Sequence, residues 1–98
     1  MKLKDPNDPD SVVNLKNFGE RSSRLLHAIG VTTISEVRAL GSVEVFARMR
    51  RAGVNVSTVV LWALEMGLQD RAYTDISERE KKTLISELRM IDPTFRRR

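Results

Sequence analysis

The sequence contains no cysteine, one histidine and five aromatic residues in a chain of 98. The absence of cysteine excludes disulfides and thiolate metal ligands and is typical of a reducing cytoplasm. His27 has no second histidine with which to build a zinc site, and no serine–histidine–acid set is evident. Because aromatic residues are few, aliphatic side chains must fill the core. We therefore expect a binding domain that is not an enzyme, with no cofactor and no small-molecule substrate.

Long apolar runs are also missing. The longest, Val59–Leu64, is far shorter than the ~20 residues that a bilayer requires. The N-terminus lacks the basic and then apolar pattern of a signal peptide. With 41% apolar and 31% charged residues, the composition is that of an ordinary globular domain. We expect a cytoplasmic protein with no membrane partner.

Positive charge is concentrated in one part of the chain. The formal net charge is +4, and residues 16–53 alone carry seven lysine or arginine residues against three glutamates. The tail Arg96–Arg98 adds three more cations. Such asymmetry favours an anionic partner, although arginines on a helical surface also serve solubility alone.

The residue pattern predicts one helical domain with two polar ends. Prolines and aspartates before Ser11 favour a flexible N-terminal arm over residues 1–12. Helical periodicity begins at Val13 and lasts to Pro93, and residues 94–98 form a basic tail. No stretch alternates polar and apolar residues, so no sheet is expected. The predicted fold is all-α, a compact bundle of about five short helices.

Capping signals place the predicted helices. Asn17 and Glu20 are spaced to cap the first helix, and Ser42 and Ser57 precede the third and fourth. Capping boxes are predicted at Thr33–Glu36 and Ser77–Glu80. The segment Thr58–Leu68 is apolar almost all round, so it is predicted to be the central helix.

The segment around Gly19 carries the main functional signal. A tight turn that ends in glycine and leads into a helix is the helix-hairpin-helix pattern. Glycine allows a ligand to approach the backbone, and the free N–H groups of the first helical turn can bind a phosphate oxygen without reading a base. The predicted nucleic-acid-binding residues are Asn17, Gly19, Arg21, Ser22 and Arg24. A glycine hairpin that only joins two packed helices is the alternative.

Residues 17–22, Asn-Phe-Gly-Glu-Arg-Ser, resemble a loop that contacts the DNA backbone in the C-terminal domain of the α subunit of bacterial RNA polymerase. That resemblance implies phosphate contact by Asn17, Gly19, Arg21 and Ser22.

A second resemblance covers nearly the whole chain beyond the arm. Residues 15–19 (Leu-Lys-Asn-Phe-Gly), 28–33 (Ala-Ile-Gly-Val-Thr-Thr) and 61–67 (Leu-Trp-Ala-Leu-Glu-Met-Gly), with Tyr73 and Ile76, resemble the C-terminal domain of TfoX/Sxy-type competence regulators. Lys16 replaces a proline of that pattern, and Met66-Gly67 replaces Gly-Ala, which moves the place where the central helix can be approached closely. The resemblance implies a helix-hairpin-helix or SAM-like helical module that contacts duplex DNA weakly or assists transcription proteins.

Three further expectations stay open at this point. A protein–protein adaptor is the alternative function, with Met49, Met66 and Met90 as adaptable contacts if they are exposed. Glu65, the one acid of the central helix, is expected to pair with Arg38, Arg71 or helix-start amides. The basic run 48–51 either complements the dipole at the end of its helix or extends a DNA-binding surface.

Overall fold

The computed structural model describes residues 7–96, and within them the chain is all-α with no strand. The predicted fold class is confirmed. Two short 3-10 turns, Val12–Asn14 and Tyr73–Asp75, accompany the α-helices. The helices are α1 (Glu20–His27), α2 (Ile34–Leu40), α3 (Ser42–Arg51), α4 (Thr58–Leu68) and α5 (Glu78–Ile91).

Two of the five helices begin with the predicted capping boxes. Thr33 accepts a hydrogen bond from the Glu36 N–H, and the Glu36 carboxylate reaches back to the Thr33 N–H. Ser77 and Glu80 form the same reciprocal pair at α5. Each box satisfies amide donors that the first helical turn leaves without an intrahelical acceptor.

Of the other three predicted caps, one is at the predicted position and two are wrong. Ser57 is the N-cap residue of α4, although its side chain makes no capping hydrogen bond, whereas Gly19 and Gly41 occupy the N-cap positions of α1 and α3. Ser42 is instead the first residue of α3, and its hydroxyl donates to the carboxylate of Glu65, 2.7 Å away. The Ser42 hydroxyl, which was expected to cap α3, therefore bonds to an acceptor on α4 instead.

Helix α4 lies at the centre of the core, as predicted. Leu61, Trp62, Leu64 and Met66 are buried along it, and it packs against α3, which also packs against α5. The burial of Trp62 and Met66 agrees with the central position predicted for this helix. One apolar residue of α4 departs from the expectation, since Val59 is 48% exposed.

The N-terminal end of the domain starts earlier than predicted. Residues 1–6 of the predicted arm lie outside the described part of the chain. In the rest, Ser11 pairs with Thr33 in an isolated bridge and Val12 is completely buried. The Asp10 carboxylate accepts hydrogen bonds from the Ser35 N–H and hydroxyl at the start of α2. Residues 10–12 are therefore part of the folded domain and not a free arm.

The C-terminal end also differs from the prediction. Phe95, which the sequence analysis assigned to the basic tail, is buried and meets Phe46 edge to face, with ring centroids 6.3 Å apart. The Arg50 guanidinium lies 4.8 Å above the Phe95 ring and bonds to Asp92 at 2.7 Å. The folded domain thus extends past the predicted boundary at 93, while Arg97 and Arg98 lie outside the described residues.

Candidate nucleic-acid interface

The turn before α1 is held by two buried apolar residues and by one residue in a left-handed conformation. Leu15 and Phe18 point into the core, and the Phe18 N–H donates to the Leu15 carbonyl at 2.9 Å. Asn17 between them has φ of 75°. Asparagine tolerates this region better than most residues, so it closes the turn where a β-branched residue would be strained.

The Asn17 side chain does not cap α1 and does not face solvent. Its amide donates to the carbonyls of Ala63 and Arg71, at 3.3 and 2.9 Å, and its oxygen accepts from the Tyr73 N–H at 3.1 Å. All three partners lie far away in the sequence. Its side-chain amide is therefore committed to joining the hairpin to α4 and to the segment that follows α4.

Gly19 is exposed and is the N-cap residue of α1. Its backbone is extended, with φ of −135°, and a Cβ built there meets nothing within 4 Å. Neither backbone conformation nor packing thus requires glycine at this position. Among the side chains of residues 7–96 none caps α1, so within this range its first-turn N–H groups remain available, as at any uncapped helix start.

Arg21 and Arg24 lie on the exposed side of α1. Within residues 7–96 neither guanidinium makes a hydrogen bond or an ion pair. Ser22 is half-buried and lines a cavity between α1 and α4. Because successive helical residues are about 100° apart, Ser22 faces almost opposite to Arg24. The fold therefore brings the two arginines together near Gly19 but turns the Ser22 side chain and the Asn17 side chain elsewhere.

The basic run at the end of α3 is engaged by acids of the same domain. Arg48 and Arg51 both bind the Glu44 carboxylate, at 2.9 and 2.7 Å, and these hydrogen bonds, that of Arg48 first, lower the Glu44 pKa. The Asp92 pKa is lowered by the Thr94 hydroxyl and then by Arg50. The run 48–51 is thus largely paired, unlike the arginines of α1.

Glu65 has other partners than those predicted. Its carboxylate accepts from Ser42 and from the Gln69 amide, at 2.7 and 2.6 Å. Arg71 instead pairs with Glu80 at 2.9 Å. Two neutral donors satisfy the acid, so the expected ion pair is not formed.

The three methionines considered as contacts of a protein–protein adaptor do not form a shared exposed surface. Met49 and Met66 are completely buried, whereas Met90 is 82% exposed. His27 is half-buried.

Gly67 is a structural residue whose partner was missed from the sequence. A Cβ at Gly67 would lie 2.5 Å from the Lys16 carbonyl oxygen and 3.3 Å from the Leu15 side chain. The turn before α1, residues 15–19, therefore packs directly on the backbone of α4. The sequence did contain a signal for this contact. Met-Gly replaces Gly-Ala at positions 66–67, so the glycine that allows another segment to approach α4 closely stands at position 67.

Comparison with known proteins identifies the family. The model of the TfoX C-terminal domain matches residues 8–88. The chain belongs to the TfoX C-terminal domain family. This is a family of regulatory type and not a known class of enzymes. The match begins at residue 8, which agrees with the ordered packing of Asp10–Val12.

The fold has a counterpart among solved structures. The crystal structure, in a triclinic form, of an uncharacterized protein from Listeria monocytogenes is similar, with a TM-score of 0.71 and 26% sequence identity. The similarity covers 84% of this chain and 93% of that chain. No curated protein matches the sequence. In the described part of this TfoX C-terminal domain, no helix has the length and apolar character needed to cross a membrane.

Proposed function

We propose that this TfoX C-terminal domain is a non-catalytic binding module whose hairpin contacts the phosphate backbone of nucleic acid. The supporting observation is that Arg21 and Arg24, exposed beside the open backbone of Gly19, have no acid partner within residues 7–96. Guanidinium groups and free helix-start amides are the donors that phosphate accepts. The arrangement is helix-hairpin-helix-like in its chemistry.

The proposed contacts divide the predicted residues into two roles. Gly19, Arg21 and Arg24 touch the phosphate, and Ser22 contributes through its backbone N–H. Asn17 positions the turn through its bonds to Ala63, Arg71 and Tyr73. None of these groups reads a base edge, so binding is weak and independent of sequence. Partner transcription proteins in the cytoplasm then supply specificity, in keeping with a regulatory role in competence.

The test is a titration of a fluorescein-labelled duplex with the full chain at several salt concentrations. Affinity should fall steeply with salt, and the Arg21→Glu/Arg24→Glu variant should reduce the slope by about two phosphate contacts. Arg79→Glu/Lys82→Glu is the matched control. These α5 cations are exposed, equally spaced and without an ion pair in the part of the chain described. Equal losses in both variants, or no binding at about 100 µM protein in about 50 mM salt, would refute the proposal.

A second variant separates backbone approach from folding. Gly19→Ala adds a methyl group that has no neighbour within 4 Å among residues 7–96, so the free energy of unfolding should change by less than about 1 kcal/mol. If a phosphate sits against this backbone, the duplex affinity should nevertheless fall. An unchanged affinity would remove Gly19 from the interface.

A further inference from the structure

An apolar cavity of about 240 Å³ lies between α1 and α4, beside the hairpin. None of its lining residues is charged, and they include Phe18, Ser22, Leu25, Val59, Ala63 and Tyr73. Val59 and Tyr73 are 48% and 44% exposed. Across residues 7–96 only two other large apolar side chains are exposed, and both are at the end of α5. Exposed apolar side chains around a concave site are typical of binding surfaces.

The walls of the cavity are tied together by hydrogen bonds. Asn17 joins the hairpin to the Ala63 carbonyl on α4 and to the Tyr73 N–H on the following 3-10 turn. These three residues all line the cavity. A preformed cavity loses less conformational entropy on binding than one that must be assembled, so this surface is suited to a small anchor group.

An exposed cation of α1 stands one helical turn from the cavity lining. Arg21 is one helical turn before Leu25, so the two side chains share a face of α1, and Arg21 has no acid partner among the described residues. Glu20 lies about 160° around the helix from Ser22, away from the cavity. Val59 stands in the first turn of α4, where the helix dipole is positive. An acidic group on a ligand in the cavity would thus be attracted by Arg21 and by the start of α4, and no acid of the lining would repel it.

We propose that this cavity docks a segment of a partner protein that presents an apolar anchor side chain next to a carboxylate. The anchor fills the space between Leu25, Val59 and Tyr73, and the carboxylate binds Arg21. A nucleobase fits the observations less well. Its polar edge would meet apolar walls and the Asn17 amide, which is already bonded to two carbonyls. The inference stands on the apolar walls and does not depend on phosphate binding at Gly19.

The experiment is an NMR titration of the 15N-labelled full chain with three hexapeptides. The probe is Glu-Asp-Leu-Leu-Glu-Asp, and the comparisons are Lys-Lys-Leu-Leu-Lys-Lys and Glu-Asp-Ser-Ser-Glu-Asp. Only the first carries both the apolar anchor and acidic side chains. It should shift the amide signals of Ser22, Leu25, Val59 and Tyr73 in a saturable way. Equal shifts with all three peptides, or shifts confined to other surfaces, would overturn the proposal.

A pair of variants then tests the cavity itself. In Val59→Asp, the new aspartate is compatible with the first turn of a helix but places a negative charge in the apolar wall. Peptide affinity should therefore fall by about tenfold or more. Met90→Asp introduces the same charge at an exposed position on α5 outside the cavity lining and should bind the peptide normally. Thermal unfolding verifies that both variants are folded. Equal loss in both would overturn the proposal.

A short DNA duplex completes the experiment. If the duplex shifts the four cavity amides and the acidic peptide does not, the cavity is part of a nucleic-acid surface and the peptide proposal is wrong. If the peptide binds while the duplex fails to bind, the docking proposal is supported and phosphate contact by the hairpin is refuted.

Discussion

At the scale of single residues, Asn17 ties the turn before α1 to distant parts of the chain. Its backbone occupies the left-handed region and its side chain makes three hydrogen bonds to parts of the chain 46 to 56 residues away. Its spacing from Glu20 indicated a helix cap, because capping is a local pattern that sequence can reveal. No local sequence pattern reveals the distant carbonyls, of Ala63 and Arg71, to which the amide donates.

Replacing Asn17 should destabilise the domain through two separable effects. Asn17→Ala removes all three bonds and places alanine at positive φ, which should lower the free energy of unfolding by about 2–4 kcal/mol. Asn17→Gly removes the same bonds but accepts the backbone angle, so its loss should be smaller by about 1 kcal/mol. Urea unfolding monitored through Trp62 fluorescence measures both. Two variants as stable as the wild type would show that these bonds contribute nothing.

At the scale of elements, the start of α5 is fixed by one carboxylate. Glu80 accepts from the Ser77 N–H at 2.8 Å and from Arg71 at 2.9 Å. The Ser77 backbone bond, followed by Arg71, lowers the pKa of Glu80 from 4.5 to about 2. The capping box was visible in the sequence. Arg71 was not, because it belongs to the loop after α4 and reaches α5 only in the folded chain.

This pKa shift predicts a pH dependence of stability. A carboxyl group whose pKa is lower in the folded state contributes stability above pH 4.5, and the contribution is lost as the pH falls toward about 2. Glu80→Gln should therefore melt below the wild type at neutral pH, and the difference in Tm should shrink across that window.

Thermal melts of the wild type, Glu80→Gln and Glu87→Gln at several pH values provide the measurement. Glu87 is an exposed carboxylate of the same helix with no hydrogen bond in the described part of the chain, so it controls for the loss of one negative charge. A Glu80→Gln difference that stays constant with pH would contradict the prediction.

At the scale of the whole molecule, both ends of the domain are anchored in the core. Val12 and Phe95 are buried, and Phe95 contacts Phe46 on α3. Composition misled the sequence prediction at both places. Proline and aspartate precede Val12, and three arginines follow Phe95, so the few apolar residues of each polar segment gave no periodic signal.

Loss of the Phe95 anchor should weaken the entire fold. Phe95→Ala removes a buried aromatic ring from contact with Phe46 and Arg50 and should lower the free energy of unfolding by about 3–5 kcal/mol. Arg96→Ala, at an exposed neighbouring position, should change it by less than about 0.5 kcal/mol. Chemical denaturation compares the two variants. A stable Phe95→Ala variant would restore the interpretation of this segment as a tail.

The sequence by itself determined the all-α class, the central position of α4 and the two capping boxes. Each of these depends on residues within a turn or two of one another, where helical periodicity and side-chain reach act directly. Only the tertiary structure decided which polar groups remain available to a partner. Asn17 and Ser42 found internal acceptors on α4, while Arg21 and Arg24 found none within residues 7–96. Long-range packing chooses these pairs, because a side chain's partner depends on which helix lies beside it and not on its neighbours in the chain.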